Sequence, residues 1–553
     1  MSIFDFITIP LPKRSKQVLD HPLITSTDFG KIVPVLLEDV LPGDTFKCKT
    51  AAEIKLFPTL APVRQGIEVR IDYFFVPNRI LWKDWKTFIT GGEDGTAAPV
   101  KPFIDLSHGN SVCSLFDYFG LPVDLNRGGQ TLQVSAQATC DALPFRAYSM
   151  IWNEYYRDQN LQDEVAVSLE GGEEGEDQVT NTQLLYRGLK KDYFTSALPW
   201  TQRGPQVTIP IAGEAPLDIT LSKEGGIPDV IQTDANGQYY KLNGEYFSDY
   251  DTDARFTRDA DSSSLAELSS VATGVRDTVN HVHTLNNPVK GVTASGTADL
   301  SDATAVSINE LRRLNAVQKW LERNARAGSR YVEQILSHFG VRVPDYRLDR
   351  PEYIGGGKQT IGMAEILQTS ETGTSPQGTR SGVGFGNMLT SSRKYFVQEH
   401  GWIIGLMSIV PQFNMYADGI QRKWTRNTKF DYFFKEFQNL GEQSILNQEI
   451  YAYNNSPDYD LLDDFGYTPR YAEYRYHPGI VTGEMRSSMS YWHMARMFNQ
   501  PPALNGNFIN TSQNNTWDRL FPTDESLGDR FVVTMHHFER MRRPMQKNPQ
   551  PSL

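Results

Sequence analysis

The sequence predicts a mainly β protein built on antiparallel sheets. Three observations carry that expectation: runs of strict alternation near the N-terminus, turn-forming text between those runs, and an aromatic load of 29 Phe, 25 Tyr and 9 Trp. Aromatic rings suit a pleated, half-buried surface. Hydrophobic residues at 39% and charged residues at 22% of 553 allow a sizeable core and argue against wholesale disorder. Length leaves domain number open, because large β architectures keep long insertions inside one unit. Excess acid gives a formal net charge of −12.

The first residues, MSIFDFITIPLPKRSK, lack a basic region ahead of an apolar core and carry prolines where a secretory signal needs helix. Residues 1–30 read as an arm. From Lys31 to Pro77 strands alternate with turns: KIVPVLLEDV, LPGD, TFKCKTAAEIKLF and QGIEVRIDYFFVP. In the last, Ile67, Val69, Ile71, Tyr73 and Phe75 share one face, and Glu68, Arg70 and Asp72 the other. That period of two marks a half-buried strand. Pro42-Gly43-Asp44 supplies the turn.

LPFRAYSMIWNEYYRDQNL is compatible with a short helix. In LPWTQRGPQVTIPI the alternation of Val207, Ile209 and Ile211 reads as an edge strand, where proline is tolerated. Between about Ala212 and Ala305 long polar, acidic stretches suggest a surface insertion. Residues 307–340 are helical text: Leu311, Leu314, Val317 and Leu321 fall at helical spacing, Ser307 and Glu310 match a capping box, Gly328 breaks the run and Gly340 ends it. Arg312, Arg313, Lys319, Arg323, Arg326 and Arg330 read as a solvated face. FVQEHGWIIGLMSIVP reads as a strand apolar on both faces, and RFVVTMHHFERMRR as the final strand, leaving a tail at 540–553. The longest apolar run, Trp402 to Val410, falls far short of the roughly 20 residues a membrane span requires.

Enzyme signatures fail. Gly355-Gly356-Gly357-Lys358 lacks the following Ser or Thr of a phosphate loop. Gly382, Gly384 and Gly386 follow polar text rather than a buried strand, so a flexible loop is expected instead of a dinucleotide site. His281 with His283, and His536 with His537, have no carboxylates or cysteines at metal-ligand spacing and read as surface or interface groups. No metal, cofactor or catalytic residue is expected. Cys48, Cys113 and Cys140 are too few and too widely spaced for a disulfide framework.

Basic residues interleaved with aromatics are more suggestive. Lys13, Arg14 and Lys16, then Arg422, Lys423, Trp424 and Arg426, then Arg542 and Arg543 offer positive charge and stacking surface for single-stranded nucleic acid. The same residue types also serve contacts between subunits.

The segments LPGDTF, YFFVPNRILWKDWKTFITGGEDG, LPFRAYSMIWNEYYRDQNL, QKWLERNARAGSRYVEQILSHFGV, RPEYIGGG, HGWIIGLMSIVP, FDYFFKEFQNLGEQ and GEMRSSMSYWHMARMF resemble the major capsid protein of microviruses, in particular the gokushovirus-like branch. The resemblance runs from about Val33 to Ala212 and from Asn309 to Arg543. It implies a single eight-stranded antiparallel jelly roll spanning 1–553, with long loops gripping neighbouring subunits of an icosahedral shell around a circular single-stranded DNA genome. It also implies a protrusion at the threefold axes from 212–305 and a role in host attachment. Expected partners are further copies of the chain, a small basic DNA-binding viral protein, a pilot protein, a scaffolding protein and a host surface receptor. Assembly is expected in the bacterial cytoplasm. The competing expectation is a carbohydrate-binding or carbohydrate-active β protein, which would also be rich in Tyr, Trp and loop carboxylates.

Overall fold

A computed structural model describes residues 14–106, 111–135, 137–174, 180–205, 207, 308–328, 330–371, 373, 376–453, 459–511, 515–522 and 528–547. It also describes the strands at 217–223, 231–233, 239–241 and 292–298. Ten strands form one continuous antiparallel ladder: β1 Ser15–Val18, β2 His21–Thr27, β3 Val33–Val40, β4 Thr45–Thr59, β5 Ile67–Pro77, β6 Glu352–Leu367, β7 Arg380–Leu389, β8 Arg393–Phe396, β9 Gly401–Pro411 and β10 Phe531–Arg543.

Eight of these fall into two rows of four. One runs β2–β10–β4–β7 and the other β6–β5–β9–β3, joined where β6 pairs first with β5 and then with β7. This curled antiparallel sheet is consistent with the jelly roll implied by the resemblance, although with β1 and β8 the ladder counts ten strands rather than the expected eight. Residues 15–27, within the segment read as an arm, pair with β10.

Alternation explains the central core. In β4 Phe46, Cys48, Ala52, Ile54 and Leu56 point inward, and in β10 Phe531, Val533, Met535 and Met541 do the same. They meet Val33, Val35, Ile67, Val69, Ile71, Tyr73, Phe75, Ile403, Met407 and Ile409 from the other row. The Gly43 turn between β3 and β4 has φ of +91°, which only glycine adopts without strain.

A second core covers the outer face of the β5–β9 row. Phe74, Val76, Ile404 and Leu406 pack against Trp82, Leu115, Phe116 and helix α1, Leu143–Ile151. The apolar-on-both-faces reading of β9 is correct for this reason. The half-buried reading of β5 is not: Glu68 and Asp72 are buried too, because the covering layer closes over them.

Three further readings change. Gly382, Gly384 and Gly386 lie inside β7, not in a flexible loop, and Gly355–Gly357 lie inside β6. Leu198 forms an isolated bridge with Tyr467 and 199–205 form bends, while Ile209 and Ile211 of the expected edge strand are outside the described residues, as is Ser307 of the expected capping box. His537 is wholly buried, not a surface group. Helices α2, Ile308–Ala327, and α3, Tyr331–Phe339, break at Gly328 and end at Gly340 as expected. Yet Arg330 is no solvated residue: it faces Glu154 and Glu333, and Arg326 is paired with Glu442.

The chain divides into two compact units, 1–206 with 318–553, and 207–317. In the second, strand 217–223 pairs with 292–298 and strand 231–233 with 239–241. Cys48, Cys113 and Cys140 form no disulfide. Among the described residues no helix is long and apolar enough to cross a membrane.

Candidate assembly surface

The densest exposed aromatic surface lies after β9. Trp424 is 76% exposed, and Phe430, Tyr432, Phe433, Phe434 and Leu440 are all exposed. Monomeric proteins rarely display so many large apolar side chains together without a partner for them. On the helical segment Trp320, Tyr331 and Phe339 are also exposed, so the helical stripe is only partly used inside the chain.

These rings stand on a rigid base. Strand Glu442–Leu446 pairs with Asp464–Pro469, and the fully buried Ile445, Ile450 and Tyr451 pack with Tyr193, Phe194, Tyr416, Phe465 and Phe508. Tyr471 fixes the loop: its hydroxyl donates to the Tyr432 carbonyl at 3.1 Å and accepts from the Phe434 amide at 3.4 Å. It does so from a left-handed backbone, φ +62°, a conformation that costs roughly 1–3 kcal/mol for a non-glycine residue. Arg496 is buried beneath, 4.1 Å from the Phe508 ring centroid, donating to the Phe508 carbonyl at 2.7 Å. Burial pulls its pKa down, opposed by Tyr416.

The basic residues singled out in the sequence fall into two groups. Lys423 lies over the Trp424 ring at 5.8 Å, and Arg426 stacks on Tyr474 at 4.2 Å and Tyr432 at 5.3 Å. Arg422 in the same loop turns inward and pairs with buried Glu449 at 3.2 Å; burial pushes that carboxyl up, against the pull of Arg422. In the second group β1 and β10 place Lys16 directly opposite Arg542 and Ser15 opposite Arg543. Like charges facing each other across a ladder destabilise it unless an anion intervenes. Arg14 lies over Phe396 at 5.2 Å, whereas Arg543 pairs with Asp44 at 3.3 Å. Lys13 is outside the described residues.

A charged cleft went unread in the sequence. The buried polar face of β5 opens into a cavity of about 620 Å³ lined by Arg70, Arg157, Arg187, Lys190, Lys191 and Lys358 against Glu68, Asp72 and Asp158. Lys190 pairs with Glu68 at 2.7 Å and Arg70 with Asp72 at 2.7 Å, while the Tyr156 and Tyr353 hydroxyls also donate to Asp72. Burial alone raises the Glu68 carboxyl, but Lys190 outweighs it and leaves it lowered. Cations outnumber carboxylates, and Arg187 has its pKa lowered by burial. The sequence signal was the Glu68, Arg70, Asp72 alternation itself, assigned there to solvent.

The comparisons with known proteins agree with one another. The sequence profile of the family described as capsid protein (F protein) matches residues 9–553. Capsid protein VP1 of Bdellovibrio phage phiMH2K is 36% identical over 499 residues, covering 88% of this chain and 85% of that protein. Capsid protein VP1 of Chlamydia phage 1 is 33% identical, covering 98% and 96%, and that of Spiroplasma virus 4 is 31% identical, covering 91% and 88%. A jelly roll that leaves its aromatic loops uncovered is what a shell subunit requires, and with relatives matched nearly end to end the chain belongs to the capsid protein (F protein) family, as a structural component of a phage virion.

Proposed function

We propose that the chain is the major subunit of an icosahedral shell enclosing a circular single-stranded DNA, and that its exposed aromatic loop is a principal contact between copies. The observation that carries this reading is the row from Trp424 to Leu440, apolar, exposed and braced from below by Tyr471. Obligate interfaces bury roughly 2,000 to 5,000 Å² with a large apolar share. At about 25 cal/mol per Å² of apolar area, such contacts offset the cost of association without any catalytic centre.

The inner face takes the genome through Arg14, Lys16, Lys423, Arg426 and Arg542, with Lys13 on the same arm; Arg422 and Arg543 act mainly as internal ties, and Trp424, read beside them as a stacking surface, goes to the contact between copies. The net charge of −12 means that a separate small basic viral protein supplies much of the counter-charge. A scaffolding protein guides assembly, a pilot protein accompanies the genome, and the insertion at 212–305 meets a host surface receptor as a protrusion at the threefold axes. The test is DNA retention by particles across a salt series. Neutralising Lys16, Lys423, Arg426 and Arg542 together flattens the log–log slope by roughly 0.7 for each phosphate that no longer meets a cation; an unchanged slope removes these residues from the interior.

A further inference from the structure

Away from the aromatic loop, alternation along β10 puts two ionisable residues on its core face. Inward positions 531, 533, 535 and 541 are apolar, but 537 and 539 are His and Glu, both wholly buried. His537 meets the Thr50 hydroxyl at 2.8 Å through Nδ1, while its Nε2 is buried with no hydrogen-bond partner among the described residues. Glu539 fares worse: neither of its carboxylate oxygens receives a hydrogen bond from a described N–H or hydroxyl group, and the side chain it meets at hydrogen-bonding range is a second acid, Glu38. A buried carboxylate left in this state costs several kcal/mol, so something must meet it.

What faces Glu539 is a second carboxylate and an imidazole. One ligand atom each from His21, Glu38 and Glu539 lie within 4.8 Å of one another. His21 Nδ1 is 2.9 Å from the Leu19 carbonyl, to which it donates, leaving the lone pair on Nε2. Metal-bound histidines are held in this way, the other ring nitrogen donating to a backbone carbonyl. Arg543, a cation whose charge reaches both carboxylates, is engaged by Asp44 and by the Asp39 carbonyl. Burial, then the neighbouring Glu38 charge, push the Glu539 carboxyl well above the ordinary range. Two carboxylates this close do not both stay ionised without a positive partner.

We propose that His21, Glu38 and Glu539 form a binding site for a divalent transition-metal ion of the zinc type. One imidazole and two carboxylates suit Zn²⁺, whereas Ca²⁺ takes oxygen ligands alone. His21 and Glu38 are only partly buried, which gives an ion a path in, and a water completes the shell. The location gives the site a purpose. His21 is on β2 and Glu539 on β10, in one row, while Glu38 is on β3 at the far edge of the other. Among the described residues no backbone ladder joins β3 to β2 or β10, so the ion staples the open seam of the jelly roll. Three strands distant in the chain supply the ligands, so no sequence spacing betrays them.

The experiment loads purified full-length protein with Zn²⁺, removes free ion by gel filtration and measures zinc per chain by elemental analysis, with thermal unfolding in parallel. Wild type is expected to retain about one ion per chain and to melt higher with it. E539Q and H21Q should each lose that ion, a deficit larger than the 10–100-fold weakening typical of an outer-shell change. H536Q, on the exposed face of the same strand, should keep it. H21Q, at the partly exposed rim, carries the result if E539Q does not fold. Zinc content that is negligible in wild type, or unchanged in H21Q, overturns the site and leaves the carboxylates sharing a proton. Retention of Ca²⁺ but not Zn²⁺ overturns the metal class.

Discussion

Asp529 shows how much can rest on one side chain. It accepts hydrogen bonds from Lys31 at 2.6 Å, Ser26 at 2.6 Å, Tyr118 at 3.2 Å and Cys113 at 3.3 Å, tying the start of β10 to β2 and to the covering layer. Burial alone raises its carboxyl, but the Lys31 and Ser26 contacts outweigh burial and leave it lowered. D529N should therefore destabilise the folded chain by about 2–3 kcal/mol, since it leaves the Lys31 ammonium half-buried without its counter-charge. The sign of the pH effect follows: a carboxyl with a depressed folded pKa stabilises fully above its unfolded value near ~4 and loses that contribution as pH falls through the folded value. Urea midpoints between pH 7 and pH 3 should drop more steeply for wild type than for D529N. Parallel slopes would take Asp529 out of the acid response. Neither this hub nor Glu539 was legible in the sequence, because their partners lie hundreds of positions away; only the period of β10, which puts 537 and 539 with the apolar residues, held a hint.

At the scale of elements, legibility followed alternation. β4, β5 and β10 were readable because branched and aromatic residues recur every second position, and β3 and β9 because their apolar runs are nearly unbroken. β6 and β7 were not, because glycine occupies the places where those residues should stand. The reason is close approach: a Cβ on Gly356 would sit 2.3 Å from the Ile71 carbonyl oxygen, and one on Gly382 2.8 Å from that of Ala61. Glycine in a strand is the mark of such contacts. G356A should cost about 1–3 kcal/mol by overpacking, whereas G362A, whose nearest neighbour is 3.7 Å away, should cost well under half of that; equal losses measured by urea unfolding would show that chain entropy, not contact, selects the glycines. The aromatic loop obeys a related logic. Y471F removes the hydroxyl that bridges the Tyr432 carbonyl and the Phe434 amide. It should slow particle formation, followed by light scattering, while costing the isolated fold only about 1 kcal/mol. Unaltered assembly kinetics would mean that the loop needs no bracing.

For the whole molecule, exposed aromatic surface standing outside a well-packed jelly-roll core favours assembly. The family resemblance was readable from long aromatic motifs, and the loop's density of rings and arginines was visible beside it. Which basic side chains are tied down was not, since Arg422 is held by Glu449 and Arg543 by Asp44 and the Asp39 carbonyl, partners that no local spacing reveals. W424A combined with F433A should leave the secondary structure and melting of the subunit within about 0.5 kcal/mol of wild type, as expected for exposed positions, yet abolish or sharply reduce particle yield.

The most direct measurement is a reconstruction of the intact particle by electron microscopy, read for the surroundings of Trp424 and Phe430–Phe434. Closed shells in which these rings are covered by a neighbouring copy are the expected result. Closed shells in which they face solvent, or a purified chain that stays a stable monomer, would contradict it.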